Sequence, residues 1–203
     1  MTDQEYWERH ARKYDASLRV LGKPLPRMLK LTREAVSGCN KVLEVAAGTG
    51  LVTTVLAQAA SSVVATDYAA SMVAMLNDLV QKENLRNVTC LQADLYALDF
   101  EPGSFDAVVA ANVLHLVPDF PKAVAALRRM LKADGRLVVP TFCHDETTLS
   151  WIVSRALAVT GFPGKRRFTY RSLVSSLEQA GLRIGKSELL PGLIPICYVE
   201  GSF

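Results

Sequence analysis

Residues 41–50 read KVLEVAAGTG, a segment that predicts a strand, a tight turn and the start of a helix. Its first five residues form a short, β-prone run that predicts a strand. The strand ends in a turn that carries Gly48 and Gly50, and residues 51–60 then place apolar side chains at helical spacing. Glycine lets the backbone of such a turn approach a ligand closely, and the helix that follows offers unpaired N–H groups to a negative charge. A ligand site is therefore expected at this strand end.

Strands and helices alternate through the middle of the chain. Further β-prone runs lie at residues 62–66, 88–92, 105–111 and 136–141, and helical patterns lie at residues 71–82 and 121–132. Ser71 is the expected N-cap of the first of these helices. Because such strands are apolar on both faces, they predict a parallel sheet that helices cover on both sides.

The last third of the chain completes this sheet. Helical patterns at residues 146–159 and 170–180 precede two strand-like runs, which are joined around Pro191-Gly192. A connection this short predicts a hairpin, and therefore an antiparallel last strand. We expect an α/β fold, a three-layer αβα sandwich around a mostly parallel, seven-stranded sheet.

The composition indicates one well-filled globular domain. Of the 203 residues 50% are hydrophobic and 21% are charged, and the net charge is only +3, which excludes a disordered chain. The apolar stretches are too short to span a membrane, and acidic residues stand where a signal peptide would be basic, so we expect a cytoplasmic protein. The four cysteines are far apart and indicate neither a disulfide framework nor a metal site.

We expect a single domain over residues 1–203. Residues 1–40 would form an N-terminal helical extension, 41–141 the ligand-binding core, 142–168 a lid, and 169–203 a C-terminal helix and strand pair. The lid expectation rests on the aromatic and aliphatic residues of that segment, and an ordinary covering helix is the alternative. The basic residues are too scattered to form a nucleic-acid footprint on charge alone.

Ligands of an open parallel sheet bind beyond the carboxyl ends of its strands. The acidic residues that follow the second and third strands therefore indicate which class of ligand binds. Asp67 ends the second strand, where a carboxylate can accept hydrogen bonds from a ribose diol, and Asp94 follows the third strand. A dinucleotide fold would place a third glycine at position 53, which is Thr53 here. No P-loop sequence follows the first strand either, so the pattern predicts a nucleoside site without a phosphate cradle.

The order of these motifs resembles that of the class I S-adenosylmethionine-dependent methyltransferases. The glycine turn, Val64-Ala65-Thr66-Asp67, Ala93-Asp94-Leu95 and Phe105-Asp106-Ala107-Val108-Val109 follow one another at the spacings of that family. The resemblance covers residues 40–141 well and is strongest to small-molecule members such as the ubiquinone and menaquinone biosynthesis methyltransferases. It implies a Rossmann-like fold, S-adenosyl-L-methionine as the cofactor, and methyl transfer to a small-molecule acceptor.

The resemblance also implies which residues meet the methionine end of the cofactor. The backbone of Gly48 and Gly50 would pass beside it, and Glu44 would help to organise its ammonium group. Asn112, just after the fourth strand, would line the pocket near the reactive methyl group. Ala46 stands where the family has its first glycine, so we expect this turn to be slightly crowded.

The same resemblance implies that a second set of residues contacts the ribose and adenine of the cofactor. Asp67 would hold the ribose hydroxyls, and Tyr68 would lie against the adenine. Asp94 and Leu95 would meet the amino group and face of the adenine, although Asp94 is equally suited to cap the segment that follows it. Tyr14 belongs to an N-terminal Tyr-Asp pair that folds over the cofactor in related enzymes.

The activated sulfonium methyl needs alignment and desolvation more than a catalytic triad. A base is needed only if the acceptor arrives protonated, and His144 and then His115 are the candidates, with packed core histidines as the alternative. Nucleobase acceptors are disfavoured, because the segment from Asn112 to His115 lacks the Asn/Asp-Pro-Pro-aromatic pattern of base-amino methyltransferases.

The segment after the fifth strand bears on the acceptor. Its apolar side chains stand beside the cationic run Lys165-Arg166-Arg167, which suits an acceptor with an apolar body and an anionic group. A merely solvated loop is the alternative. Two other classes of function stay open at this point. One is a nicotinamide-dependent oxidoreductase, which is disfavoured because Thr53 replaces the third glycine of the dinucleotide pattern. The other is a non-catalytic S-adenosylmethionine-binding protein.

Overall fold

The structure is a computed structural model that describes residues 5–8, 22–159 and 164–203. Residues 5–8 form one helical turn. The helices that follow are α1 (Leu25–Ala35), α2 (Leu51–Ala57), α3 (Ala70–Lys82), α4 (Phe120–Met130), α5 (Thr148–Val159) and α6 (Tyr170–Gln179), with a short 3₁₀ helix at Leu95–Ala97. The strands are β1 (Lys41–Val45), β2 (Ser62–Asp67), β3 (Val88–Gln92), β4 (Phe105–Val109), β5 (Leu131–Val138), β6 (Thr141–Phe142), β7 (Arg183–Leu190) and β8 (Ile196–Ser202).

The strands form one mixed sheet. Strand β1 lies between β2 and β4 and is parallel to both, while β3 pairs with β2 and β5 with β4, also in parallel. Strand β8 runs antiparallel to β5, β6 and β7. The strand order reverses at β1, because the chain moves to one side of it for β2 and β3 and to the other side for β4 and β5. The carboxyl ends of β1 and β4 therefore flank the crevice in which such sheets bind ligands.

Helices cover the sheet on both faces, as the alternating pattern predicts. One core cluster packs α1 and α2 against the sheet and includes Met28, Leu56 and Val63, all fully buried. The other packs α4 and α6 against the opposite face and includes Leu127 and Leu173. Tyr198 ties β8 to α1, because its hydroxyl donates a hydrogen bond to the carbonyl oxygen of Leu31 at 3.1 Å.

The α/β fold with an antiparallel last strand is confirmed, and the structure corrects its details. The expected strand 136–141 is divided, so the described residues contain eight strands rather than seven; Pro140, which has no N–H, lies between β5 and β6. Strand β3 is half exposed rather than covered on both faces, because it lies at the edge of the sheet. Helix α3 begins at Ala70, so Ser71 is not its N-cap.

No helix within the described ranges is long and apolar enough to cross a membrane. The predicted single domain and its four subdivisions stay predictions; residues 1–4 and 9–21 of the N-terminal extension lie outside the described residues.

Candidate active site

The turn after β1 is built from three residues with positive φ. Ala46 has φ 52°, Gly48 has φ 57° and Gly50 has φ 92°. Left-handed backbone is strained for any residue with a Cβ, and Ala46 adopts it nonetheless. Where the family has glycine, Ala46 thus adopts a backbone conformation that glycine takes more readily, and the expected crowding of the turn stays a prediction.

Gly50 is required for a second reason, the closeness of α3. A Cβ at this position would lie 2.4 Å from Cδ2 of Leu79 and 2.8 Å from Cδ1 of Leu76. These distances are far inside van der Waals contact. The glycine therefore lets the start of α2 approach α3.

Asp67 joins the ends of the first two strands. Its Oδ2 accepts a hydrogen bond from the backbone N–H of Gly48 at 2.8 Å, and its Oδ1 accepts one from the N–H of Ala69 at 3.0 Å. Burial raises the pKa of this carboxyl above its ordinary value, while the backbone hydrogen bonds oppose that rise. The adjacent ring of Tyr68 remains 46% exposed and so is available to a ligand at this edge.

Glu44 lies beneath the turn, fully buried. Its Oε2 accepts a hydrogen bond from Oγ1 of Thr53 at 2.6 Å. Burial raises the pKa of Glu44 to about 8, and the nearby Asp67 carboxylate adds to the rise. Thr53, which departs from the dinucleotide pattern, thus orients the acid that sequence reasoning placed at the ammonium end of the cofactor.

The third and fourth strands bring Asp94 and Asn112 to the same edge of the sheet. Asp94 caps the 3₁₀ helix, because its Oδ1 accepts the N–H of Tyr96 at 2.9 Å, and Leu95 beside it is half-buried. Asn112 has φ 52°, and its N–H donates to the carbonyl oxygen of Pro140 at 2.7 Å. Within the described residues its side-chain Oδ1 is buried without a hydrogen-bond partner.

The N-terminal helical turn reaches the same edge. The carboxylate of Glu8 accepts the N–H of Ala70 at 2.7 Å and the N–H of Ser71 at 3.0 Å, which caps α3 from a distant part of the chain. The side chain of Ser71 is the main cause that lowers the pKa of Glu8; burial opposes this, and the two backbone hydrogen bonds lower the pKa further. Trp7 packs against the buried cluster of Ala69 and Met72. Tyr14, which sequence reasoning placed over the cofactor, lies outside the described residues.

The two histidines predicted as bases, His115 after β4 and His144 after β6, lie together. Their ring centroids are 5.1 Å apart, and both side chains are buried. Nδ1 of His144 lies 2.6 Å from Oγ of Ser154 on α5. Burial lowers the pKa of His144 to about 4, helped by the charge of Arg167, and burial lowers the pKa of His115 as well. Both rings are therefore neutral at pH 7.

The basic run folds back onto the loop after β4. The carbonyl oxygen of His115 accepts the backbone N–H groups of Lys165 and Arg166, both at 3.0 Å. The guanidinium of Arg166 lies 5.7 Å from the ring centroid of Phe120, whereas Lys165 and Arg167 are exposed. The run is thus anchored beside the histidines, and its outer two cations face solvent.

Helix α5 leaves apolar side chains uncovered. Leu149 and Ile152 are more than half exposed and Trp151 nearly so, while Ser150 and Ser154 are buried on the opposite face. The lid and the covering-helix interpretations of this segment both fit these exposures. The lid stays a prediction, and part of the segment, residues 160–163, lies outside the described residues.

The residues that are present suit a ligand with hydroxyl and ammonium groups. Asp67 and Glu44 form none of the ion pairs found in the described part of the chain, and the buried Oδ1 of Asn112 has an open acceptor site there. These features, with the exposed ring of Tyr68, fit the amino and ribose groups of S-adenosylmethionine.

Comparisons with known proteins point to the same ligand class. Residues 43–139 match the family described as a methyltransferase domain. The chain is 36% identical to the ubiquinone/menaquinone biosynthesis C-methyltransferase UbiE of Teredinibacter turnerae over 68% of this chain and 59% of that protein. It is also 36% identical to the demethylmenaquinone methyltransferase of Mycolicibacterium gilvum, over 75% of this chain and 65% of that protein.

The chain belongs to the class I S-adenosylmethionine-dependent methyltransferases. It spans less than two thirds of the length of either relative. A solved structure of an S-adenosylmethionine-dependent methyltransferase from Aquifex aeolicus superposes with a TM-score of 0.71 at 20% identity, covering 95% of this chain and 97% of that one, which shows the shared fold.

The structure gathers most of the residues that the sequence singled out. Hydrogen bonds connect Thr53 to Glu44 and Gly48 to Asp67, and the N–H of Ala93, next to Asp94, donates to the carbonyl oxygen of Asp67 at 2.9 Å. Sequence reasoning missed the distant cap and the buried serine beside the histidine, Glu8 and Ser154. Neither has a local sequence signal, because their partners lie 62 and 10 residues away.

Proposed function

We propose that this protein transfers the methyl group of S-adenosylmethionine to a small-molecule acceptor and releases S-adenosylhomocysteine. The observation that carries the proposal is the pairing of the Asp67 carboxylate with the Gly48 amide at the carboxyl ends of β2 and β1. This hydrogen bond supports a role for Asp67 as the acid that holds the ribose, because it brings the carboxylate against the glycine turn. Membership of the methyltransferase family supports the same reaction.

The proposal assigns each part of the cofactor to residues of this edge. Glu44, the turn residues Ala46, Gly48 and Gly50, and Asn112 would hold its methionine end. Asp67 would hold the ribose, and Tyr68, Asp94, Leu95 and Tyr14 would surround the adenine. Because Oδ1 of Asp94 already accepts the N–H of Tyr96, its other oxygen would serve the adenine amino group. When bound, the cofactor supplies an activated methyl group.

The remaining task of the chain is to align and desolvate the acceptor. We assign deprotonation of a protic acceptor to His144, with His115 as the second candidate. Both rings are buried and neutral at pH 7, so they can accept a proton. His144 is preferred because Ser154 holds its ring, whereas the backbone of His115 is committed to anchoring Lys165 and Arg166.

We propose an acceptor with an apolar body and an anionic or acidic polar group. The apolar side chains of the predicted lid segment would meet the body, and the exposed cations Lys165 and Arg167 would attract the polar group. The names of two relatives refer to ubiquinone and menaquinone, so a demethylmenaquinone-type hydroquinone is the first compound to try. A cytoplasmic location stays a prediction.

The test is the formation of S-adenosylhomocysteine by the purified chain with a panel of acceptors: hydroquinones, other phenols, thiols and amines. The proposal expects turnover that depends on one acceptor class and falls strongly in Asp67→Ala. Cofactor binding without turnover on any class would favour the non-catalytic binding protein. Turnover of NAD instead would favour the oxidoreductase, to which the Thr53–Glu44 hydrogen bond gives no support.

A further inference from the structure

The contact between Ser154 and His144 joins the start of the lid segment to α5. Nδ1 of His144 lies 2.6 Å from Oγ of Ser154, and both side chains are nearly inaccessible to solvent. A contact this short holds one proton between the two atoms, so one atom donates and the other accepts. Which atom donates decides which nitrogen of the ring is left as a base.

A second contact of the same hydroxyl indicates the direction. Oγ of Ser154 also lies 3.4 Å from the backbone carbonyl oxygen of His144. The hydroxyl is placed to donate to this carbonyl, which can only accept, and in that orientation the hydroxyl oxygen accepts from Nδ1–H. This assignment leaves the lone pair of the neutral ring on Nε2, the nitrogen on the far side of the ring from Ser154.

The surroundings of the ring keep it in the neutral form in which this distinction matters. The ring of His115 is 5.1 Å away and that of Phe142 is 6.3 Å away. Burial is the main cause that lowers the pKa of His144 to about 4; the charge of Arg167 lowers it further and that of Asp145 opposes this. At pH 7 the ring carries one proton, on one nitrogen.

We propose that Ser154 is a positioning residue that holds His144 in the Nδ1–H tautomer, so that Nε2 is the base that deprotonates the methyl acceptor. In this step the Nε2 lone pair forms a bond to the acceptor's proton. The electron pair of the broken bond stays on the acceptor atom, which becomes the nucleophile. The role in catalysis rests on the proposed function, whereas the tautomer itself does not.

The tautomer is measured by ¹⁵N NMR of the full-length chain labelled in histidine. The chain has three histidines, and a His144→Gln spectrum identifies the signals of His144. The proposal expects Nδ1 of His144 at the shift of a protonated nitrogen and Nε2 at that of an unprotonated one. Ser154→Ala should shift the ring toward Nε2–H, the form that free histidine prefers, and Ser154→Thr should keep Nδ1–H.

Ser150→Ala is the matched control. It removes a buried hydroxyl from the same helix whose partner is Thr147 and not the histidine, so it should leave the tautomer unchanged. A wild-type ring in the Nε2–H form overturns the proposal even if the Ser154 variants fail to fold, because Ser154 would then donate to Nδ1. The proposal is also overturned if Ser150→Ala shifts the tautomer of His144 as far toward Nε2–H as Ser154→Ala does.

With an acceptor in hand, Ser154→Ala should lower kcat by about 10- to 100-fold with the KM for the cofactor unchanged, and Ser154→Thr should restore much of the rate. An unchanged kcat in Ser154→Ala would overturn the catalytic role. The absence of any turnover in the wild type would count against the proposed function and leave the tautomer result standing.

Discussion

The carboxylate of Asp67 and the backbone N–H of Gly48 are joined by a hydrogen bond of 2.8 Å, although 19 residues separate them in sequence. This bond fixes the glycine turn after β1 against the end of β2. The acid expected to bind a ribose is therefore also the group that shapes the loop beside the cofactor. A change at Asp67 should alter both cofactor affinity and the order of the turn.

Gly50→Ala should destabilise the fold by about 3 kcal/mol, since the new Cβ meets Leu79 and Leu76 in a backbone conformation already unfavourable for alanine. Gly38→Ala is the matched control: Gly38 has φ +79° but open space around its Cβ position, so only the backbone strain of about 1 kcal/mol is expected. Urea unfolding of both variants measures the difference. Equal losses would show that α3 does not pack against the turn.

Glu8→Gln should speed the release of S-adenosylhomocysteine by about three- to fivefold. The substitution removes the charge that caps the N-terminus of α3, which begins three residues after the proposed ribose-binding Asp67. Stopped-flow dissociation measures the rate. Asp78→Asn, an exposed charge change on the same helix, should leave the rate unaltered. Identical rates for the wild type and Glu8→Gln would show that the N-terminal turn does not help to retain the cofactor.

Cofactor binding should release close to one proton at pH 7. Burial raises the pKa of Glu44 to about 8, so the free protein holds this proton at neutral pH, and the ammonium group of the cofactor should drive it off. Affinity should accordingly rise with pH up to about 8 and then level off. Calorimetry in buffers of different protonation enthalpy counts the protons, and Glu44→Gln should abolish the release. Proton uptake on binding would contradict the role of Glu44.

Replacing Lys165 and Arg167 together by Gln should raise the KM for an anionic acceptor severalfold at low salt and much less at high salt, because exposed charges act through screened attraction. Cofactor affinity should not change. Arg166→Gln is the comparison, since its guanidinium packs on Phe120 and its loss should affect stability more than KM. If the double variant had the wild-type KM at both salt concentrations, the basic run would be only a solvated loop.

Local patterns were sufficient to predict most of the core. The β-prone run that ends in the glycine turn, and the acid that closes β2, are encoded within a few residues and occur where expected. The strand division at Pro140 was missed because its flanking residues are as apolar as those of a continuous strand. Strand β3 is exposed because it lies at the edge of the sheet, and this position cannot be predicted from the sequence of the strand itself.

Contacts between distant parts of the chain were beyond sequence reasoning. Ser71 has the residue type of an N-cap, but Glu8 supplies the cap of α3 from 62 residues away and Ala69 takes the cap position. Thr53 was informative only as a missing glycine, because its hydrogen bond to Glu44 requires the turn to be folded. The predicted roles of the individual cofactor and acceptor residues stay predictions.

Calorimetric titration with S-adenosylhomocysteine and with NAD tests whether the glycine turn and Asp67 form a cofactor site. We expect S-adenosylhomocysteine to bind with micromolar affinity, roughly 7 to 8 kcal/mol, and NAD to give no heat. Asp67→Ala should weaken binding by about 2 to 3 kcal/mol, because charge-assisted hydrogen bonds to the ribose are lost. Binding of NAD without a response to S-adenosylhomocysteine, or full affinity in a folded Asp67→Ala variant, would contradict the account.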